Sequence, residues 1–246
     1  MNTKNLISIF SLSLAISLTA FDGVKAGGPS PTNGMTATIK GVVKFEGKLP
    51  KPKSITMSSD PTCAKQHPGP VPVQDVMTDA KGDLQNVVVF ISDGLGDRSF
   101  EPPQQPAVVE QKGCMYLPHV VAMQANQSLH MVNDDATSHN VHPTPANNRE
   151  WNKAEPPGAT VDGTFAREEI AIPVKCNVHP WMRGYIAVFK HPYFAVTGKD
   201  GNFDLSGLPP GTYTIKAWHE TLGTSTQTIT IGGKETKEIS FVFKAM

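Results

Sequence analysis

No stretch of this 246-residue chain carries a sustained helical period of apolar residues between capping signals, which argues against a helical architecture. Long apolar runs are scarce too: the longest, Leu6 to Ala20, has about 15 residues and is short for a membrane span. Charge of neither sign prevails, with 22 basic against 22 acidic residues. Without a basic run or an aromatic-basic stripe there is no electrostatic case for nucleic acid. The chain also lacks a Gly-x-Ser-x-Gly elbow, a glycine loop that cradles phosphate and a His-Glu-x-x-His pair, so the familiar hydrolase, nucleotide-enzyme and metalloprotease routes find no support. Cysteine is rare: Cys63, Cys114 and Cys176 are all there is.

What is present is dense in strand signals. Thr38–Phe45, Asn86–Ser92, Ser128–Asn133, Tyr185–Lys190, Thr212–Trp218, Thr226–Ile231 and Glu238–Phe243 are short, β-branched or aromatic, and bounded by Gly, Pro, Asn or Asp. The fold class expected is all-β, built of packed sheets, and the length permits one large or two modest domains. Gly47–Pro72, rich in Pro, Lys and Ser, and Asp93–Gln105, with two glycines and adjacent prolines, read as loops or linkers. Pro143–Gly163, with Trp151 near its middle, reads as a surface loop.

The N-terminus has the layout of a secretory signal peptide: Lys4, the apolar stretch, then Val-Lys-Ala at 24–26 before Gly27. Residues 1–26 are expected to be removed, leaving no integral membrane span and a periplasmic or secreted protein. The alternative is an uncleaved anchor. Removal takes away Lys4, Lys25 and Asp22, so the charge balance stays close to zero.

One short run carries the chemistry. Cys176, His179 and Met182 stand in Cys-Asn-Val-His-Pro-Trp-Met, and His139 lies upstream in Ser-His-Asn-Val-His. Two imidazoles and a thiolate in a plane, with a weak axial thioether, are the donors that hold copper between the geometries preferred by Cu(I) and Cu(II). Zinc is the main competitor, but it prefers closed tetrahedral Cys/His sets without a thioether. A loop between two strands brings three donors around one ion only if short turn-forming spacers separate them, here Asn177-Val178 and Pro180-Trp181. The fourth donor then comes from a neighbouring strand, where His139 follows Met-Val-Asn-Asp-Asp at 131–135. Asp134-Asp135 and Glu168-Glu169 are read as solvated ends or as acceptors behind the ligands.

His-Asn-Val-His at 139–142 together with Cys176-x2-His179-Pro180-x-Met182-Arg183-Gly184 resembles the cupredoxin family, most closely its amicyanin-type members, over residues 105–191. The resemblance implies a Greek-key sandwich with one type 1 copper held by His139, Cys176, His179 and Met182, and leaves His142 outside the ligand set. The working expectation is that Pro180, Trp181 and Pro143 surround an exposed edge of His179, through which electrons pass to a docked redox partner. With Cys176 engaged as ligand, the odd cysteine count leaves Cys63 and Cys114 to pair in an oxidising compartment, or else to remain two buried thiols.

A second likeness lies outside that region. Thr197-Gly-Lys-Asp-Gly-Asn-Phe-Asp-Leu and Leu208-Pro-Pro-Gly-Thr-Tyr-Thr-Ile resemble the carboxypeptidase-regulatory or transthyretin-like (Ig-like) β-sandwich, as do Thr38-Ile-Lys-Gly-Val-Val-Lys-Phe-Glu-Gly and Asn86-Val-Val-Val-Phe-Ile. The expectation is a discontinuous sandwich, 36–95 plus 192–246, with the cupredoxin-like segment inserted. A Cys63–Cys114 bridge would staple the two. The simpler alternative is a cupredoxin-like domain with N-terminal decoration and a separate C-terminal domain.

The function expected is an exported electron carrier, not an enzyme, with no catalytic residues assigned. One alternative is a copper delivery, storage or sensing protein; another is a carbohydrate- or protein-binding sandwich. His119, His130, His142, His191 and His219 are numerous enough for a second metal site, with His219 and Glu220 the first candidates, although scattered histidines are more often structural.

Overall fold

A computed structural model describes residues 35–51 and 53–245; the expected signal peptide lies outside the described residues. The architecture is all-β, with one four-residue helix, Pro61–Ala64, among the described residues. No helix there is long and apolar enough to cross a membrane.

Ala37–Glu46 runs at the centre of a three-stranded sheet, antiparallel to Asn202–Leu208 and parallel to Thr236–Lys244. Its alternation turns Ala37, Ile39, Val43 and Phe45 inward, as the twofold side-chain period of a strand requires. Facing it is a four-stranded sheet in the order Phe194–Val196, Val88–Asp93, Gly211–His219 and Gly223–Ile231. Leu84, Val89, Ile91, Phe203, Tyr213, Ile215, Phe241 and Phe243 fill the space between them.

The other pair of sheets is drawn from the middle of the chain. One has the order Lys153–Glu155, His139–Pro143, Glu169–Lys175, Arg183–Phe189, Val120–Gln124; the other has Thr160–Gly163, Leu129–Asn133, Ala107–Gln111, Tyr116–Leu117. Each contains one parallel pair, Arg183–Phe189 with Val120–Gln124 and Ala107–Gln111 with Leu129–Asn133, so connections must cross between layers instead of forming simple hairpins. Val109, Tyr116, Met123, Leu129, Met131, Val141, Phe165, Ile172, Val174, Ile186 and Val188 form their core.

Two strands are buried on both faces and join the cores. Val89 and Ile91 belong to the first core, while Val88 and Phe90 turn the other way and meet Ala187, Phe189 and Val120. Ile186 and Val188, on the reverse face of the latter strand, complete the second core. This double burial explains why Val-Val-Val-Phe-Ile reads as an unbroken apolar run. Gly184 permits the close approach of its neighbour: a β-carbon there would stand 2.7 Å from the His119 carbonyl oxygen.

The stretch expected as a featureless linker, Gly47–Pro72, has structure of its own. Ser54–Ile55 pairs with Val71–Pro72, and between them Asp60 caps the short helix by accepting the amides of Thr62 and Cys63. Such a cap satisfies amides that have no partner within the helix. Cys63, on that helix, is bonded to Cys114, so the expected disulfide forms, and both cysteines lie fully buried in the second core. Pro143–Gly163 likewise contains the strands Lys153–Glu155 and Thr160–Gly163, and Trp151 packs against the core beside Phe165.

Candidate metal centre

His139 opens the strand His139–Pro143, Cys176 follows the end of Glu169–Lys175, and Met182 precedes Arg183–Phe189. The loop between the last two is closed by its own backbone: the Cys176 amide donates to the Met182 carbonyl at 3.1 Å, and the Met182 amide to the His179 carbonyl at 2.9 Å. These bonds fold Cys176, His179 and Met182 onto one end of the second core. His139 meets them from the adjoining strand, with its Nδ1 at 2.9 Å from His179 Nδ1. The Cys176 sulfur lies 3.8 Å from His179 Nδ1. His139, Cys176 and His179 thus present donor atoms within 4.8 Å of one another. All four side chains, Met182 included, are buried.

The far side of each imidazole is held by a carboxylate. His139 Nε2 lies 2.9 Å from Asp135 Oδ2, and His179 Nε2 lies 2.9 Å from Asp60 Oδ2. Asp135 is fixed in turn by the amides of Gly113 and Cys114, and Asp60 by its capping bonds and by the Thr137 hydroxyl. With each Nε2–H given to a carboxylate, both Nδ1 atoms face Cys176. This fixes ring orientation and increases the basicity of an imidazole ligand.

Electrostatics prepare the same atoms. Burial disfavours a charged His139, yet its hydrogen bonds with Asp135 and Cys176 outweigh that and raise it to about 9. Burial likewise disfavours a thiolate at Cys176, but His139 and the amides of Asn140, His179 and Val178 bring it down to about 6. The His179 hydrogen bond draws Asp60 down to about 2. The shifts at His139 and Cys176 both favour the thiolate of Cys176, the form in which sulfur binds a metal. The Asn140 side-chain oxygen accepts the Asn177 amide at 2.6 Å, which ties the start of the 176–182 loop to the His139 strand.

The donor set fits a soft, low-coordinate metal: one thiolate, two Nδ1 imidazoles and a buried thioether. His142 is turned away, toward Asn177 and Glu150. Among the described residues the other two metal-capable groupings surround the same site, Asp60 with Cys63 and His179, and Cys114 with Asp135 and His139, and both cysteines in them are committed to the disulfide. His119, His130, His191 and His219 belong to none of the three groupings. His219 turns inward, its Nδ1 accepting the amides of Thr221 and Leu222, while Glu220 pairs with His119. His219 Nδ1 and the Glu220 carboxylate therefore engage different partners, and His219 Nε2 is buried with no hydrogen-bond partner among the described residues.

The expected exposed edge of His179 is not observed. The ring is 2% exposed, because the segment carrying Asp60 and Cys63 lies over it. Sequence reasoning missed Asp60 altogether and left Asp135 open between solvated end and acceptor. The helix-capping pattern Asp-Pro-Thr-Cys at 60–63 was the one local signal for the first.

No protein-family model matches this chain, and comparison with curated proteins finds no match. Among solved structures, similarity is found to a Cu-containing nitrite reductase from Thermus scotoductus (20% identity, TM-score 0.33, over 40% of this chain and 25% of that one). The match thus spans a quarter of the reductase. A purple cupredoxin from Nitrosopumilus maritimus aligns at 20% identity and TM-score 0.30, over 33% of this chain and 98% of that one. An amicyanin variant in its Cu(I) form aligns at 21% identity and TM-score 0.31, over 41% and 97%.

Proposed function

We propose that residues 105–191 form a cupredoxin-like domain, inserted into a sandwich made of 36–95 and 192–246, that binds one type 1 copper through His139, Cys176, His179 and Met182. The protein is then an exported, periplasmic or secreted, carrier of single electrons between redox partners, and not an enzyme. The observation that carries the reading is the convergence of a thiolate-prone cysteine and two inward-facing Nδ1 atoms within 4.8 Å of one another in a buried pocket.

Copper, when bound, supplies one-electron chemistry; the chain supplies a rigid setting for it. His139 and His179 are held by carboxylates and cannot turn freely, and amides around the Cys176 sulfur withdraw charge from it. Such hydrogen bonds and the burial around the sulfur tune potential. The visible absorption and electron paramagnetic resonance spectra of the purified protein with one equivalent of Cu(II) test the reading. An intense thiolate-to-copper band with narrow hyperfine splitting supports it, whereas a pale spectrum with ordinary tetragonal splitting overturns it.

The covered His179 edge favours one second reading, a protein that stores, delivers or senses copper with the same ligands. Reversible reduction on the millisecond scale by a small soluble reductant supports the carrier; slow reduction without loss of copper supports the holding protein.

A further inference from the structure

Asp60 comes from outside the segment that bears the four candidate donors. It precedes a four-residue helix in an excursion that leaves and rejoins the body of the protein through the short ladder of Ser54–Ile55 with Val71–Pro72. The excursion is fastened over the metal centre at several points. Cys63 is bonded to Cys114, His67 Nε2 meets the Gly113 carbonyl at 2.7 Å, and Met57 is buried in the second core. The Cys63 sulfur lies 3.6 Å from His179 Nε2, the atom that Asp60 holds. On the other side of the disulfide, the Cys114 amide donates to Asp135, which holds His139. One disulfide therefore fixes both carboxylates, and through them both imidazoles.

We infer that Asp60 is a positioning residue of this centre, and that the segment 54–72, clasped by the Cys63–Cys114 disulfide, is a cap that closes the outer edge of His179. The inference rests on the metal-site reading for its consequences at copper, but not for the closure itself. Accepting the Nε2–H of His179 selects the tautomer with a free Nδ1 lone pair, and the fixed negative charge favours the more highly charged metal state. A residue that served folding alone would leave both the tautomer and the metal's potential untouched. Closure also keeps water and reagents from the one ligand edge that would otherwise face solvent.

The experiment compares the wild type with Asp60→Ala and Asp60→Asn. In the metal-free protein, modification of His179 by diethyl pyrocarbonate, read by peptide mass spectrometry, is expected to be slow in the wild type and in Asp60→Asn, which retains an acceptor, and much faster in Asp60→Ala. In the Cu-loaded protein, Asp60→Ala is expected to lose about 10- to 100-fold in Cu(II) affinity, and Asp60→Asn to raise the reduction potential with copper still bound. Unchanged His179 modification both in Asp60→Ala and after reduction of the disulfide in the wild type overturns the cap, and an unchanged potential in a Cu-loaded Asp60→Asn overturns the positioning role. Should Asp60→Ala not fold, reduction of the disulfide by a dithiol in the wild type takes its place, with faster His179 modification supporting the cap and an unchanged rate overturning it. Failure of the wild type to bind copper defeats the metal-site reading, while the modification rates still decide closure.

Discussion

His139 and His179 stand with their Nδ1 atoms 2.9 Å apart across a separation of 40 residues. Each ring has its Nε2 on a carboxylate, Asp135 or Asp60, so the two Nδ1 atoms and the Cys176 sulfur gather within 4.8 Å of one another. A metal binding there competes with protons for these atoms, so its affinity is expected to fall with falling pH.

Cys176→Ser tests the thiolate. A serine hydroxyl is not deprotonated in this pocket and gives no strong charge-transfer transition, so the intense visible band expected of the Cu(II) protein should vanish. Absorption and paramagnetic resonance spectra check this; an unchanged spectrum removes Cys176 from the site.

Met182→Leu tests the axial donor. Met182 is fully buried, and replacement by leucine nearly conserves volume, so the stability cost should stay below about 1.5 kcal/mol. Copper should remain bound, and the potential should rise once a donor that favours Cu(II) is lost. Voltammetry and a denaturant titration measure the two effects; a large loss of copper affinity shows that Met182 is more than a weak axial ligand.

The convergence of His139, Cys176 and His179 was legible because the last two are local in sequence and His139 follows an approach that reads as a strand end. The disulfide was legible from counting, since an odd cysteine assigned to the metal leaves a pair. Strands with clean alternation, such as Ala37–Glu46, were equally readable. Glu169–Lys175 was readable only as a β segment leading to Cys176, without its bounds: a register shift lies between Glu169 and Ile172, Ala171 adopts a positive φ, and Pro173 interrupts the strand pattern. Asp60 was hidden for another reason. Its contact with His179 spans 119 residues, and a Pro- and Lys-rich stretch carries no periodicity to show which of its polar residues turns inward. The closed His179 edge could not be read from a motif that lies wholly on the other side of that contact.

Opening the disulfide should cost stability as well as cover. The Cys63–Cys114 bridge closes a loop with a sequence separation of 51, for which chain entropy gives about 4 kcal/mol. The Cys63→Ser, Cys114→Ser double variant should therefore unfold at distinctly lower urea concentration than the oxidised wild type, and a dithiol should bring the wild type toward the same midpoint. Coincident midpoints of oxidised and reduced wild type would show that the core around Met57 and Met115 holds this region without the bond.

His219 gives the fold a pH dependence that does not involve the metal centre. Burial lowers its pKa from 6.5 to about 4, and its Nδ1 is occupied as acceptor for the Thr221 and Leu222 amides. The unfolded chain therefore takes up a proton at a pH where the folded chain does not. Stability from this residue is complete above the unfolded value of 6.5 and is lost as pH falls toward the folded value of about 4, with a total of about 3 kcal/mol across that window. In His219→Asn, whose side-chain oxygen can still accept from those amides, this term disappears. Urea midpoints of the two proteins, taken at about pH 7 and about pH 4.5, should show the wild type losing more stability on acidification than the variant. Equal losses would mean that His219 is protonated as readily in the folded chain as in the unfolded one.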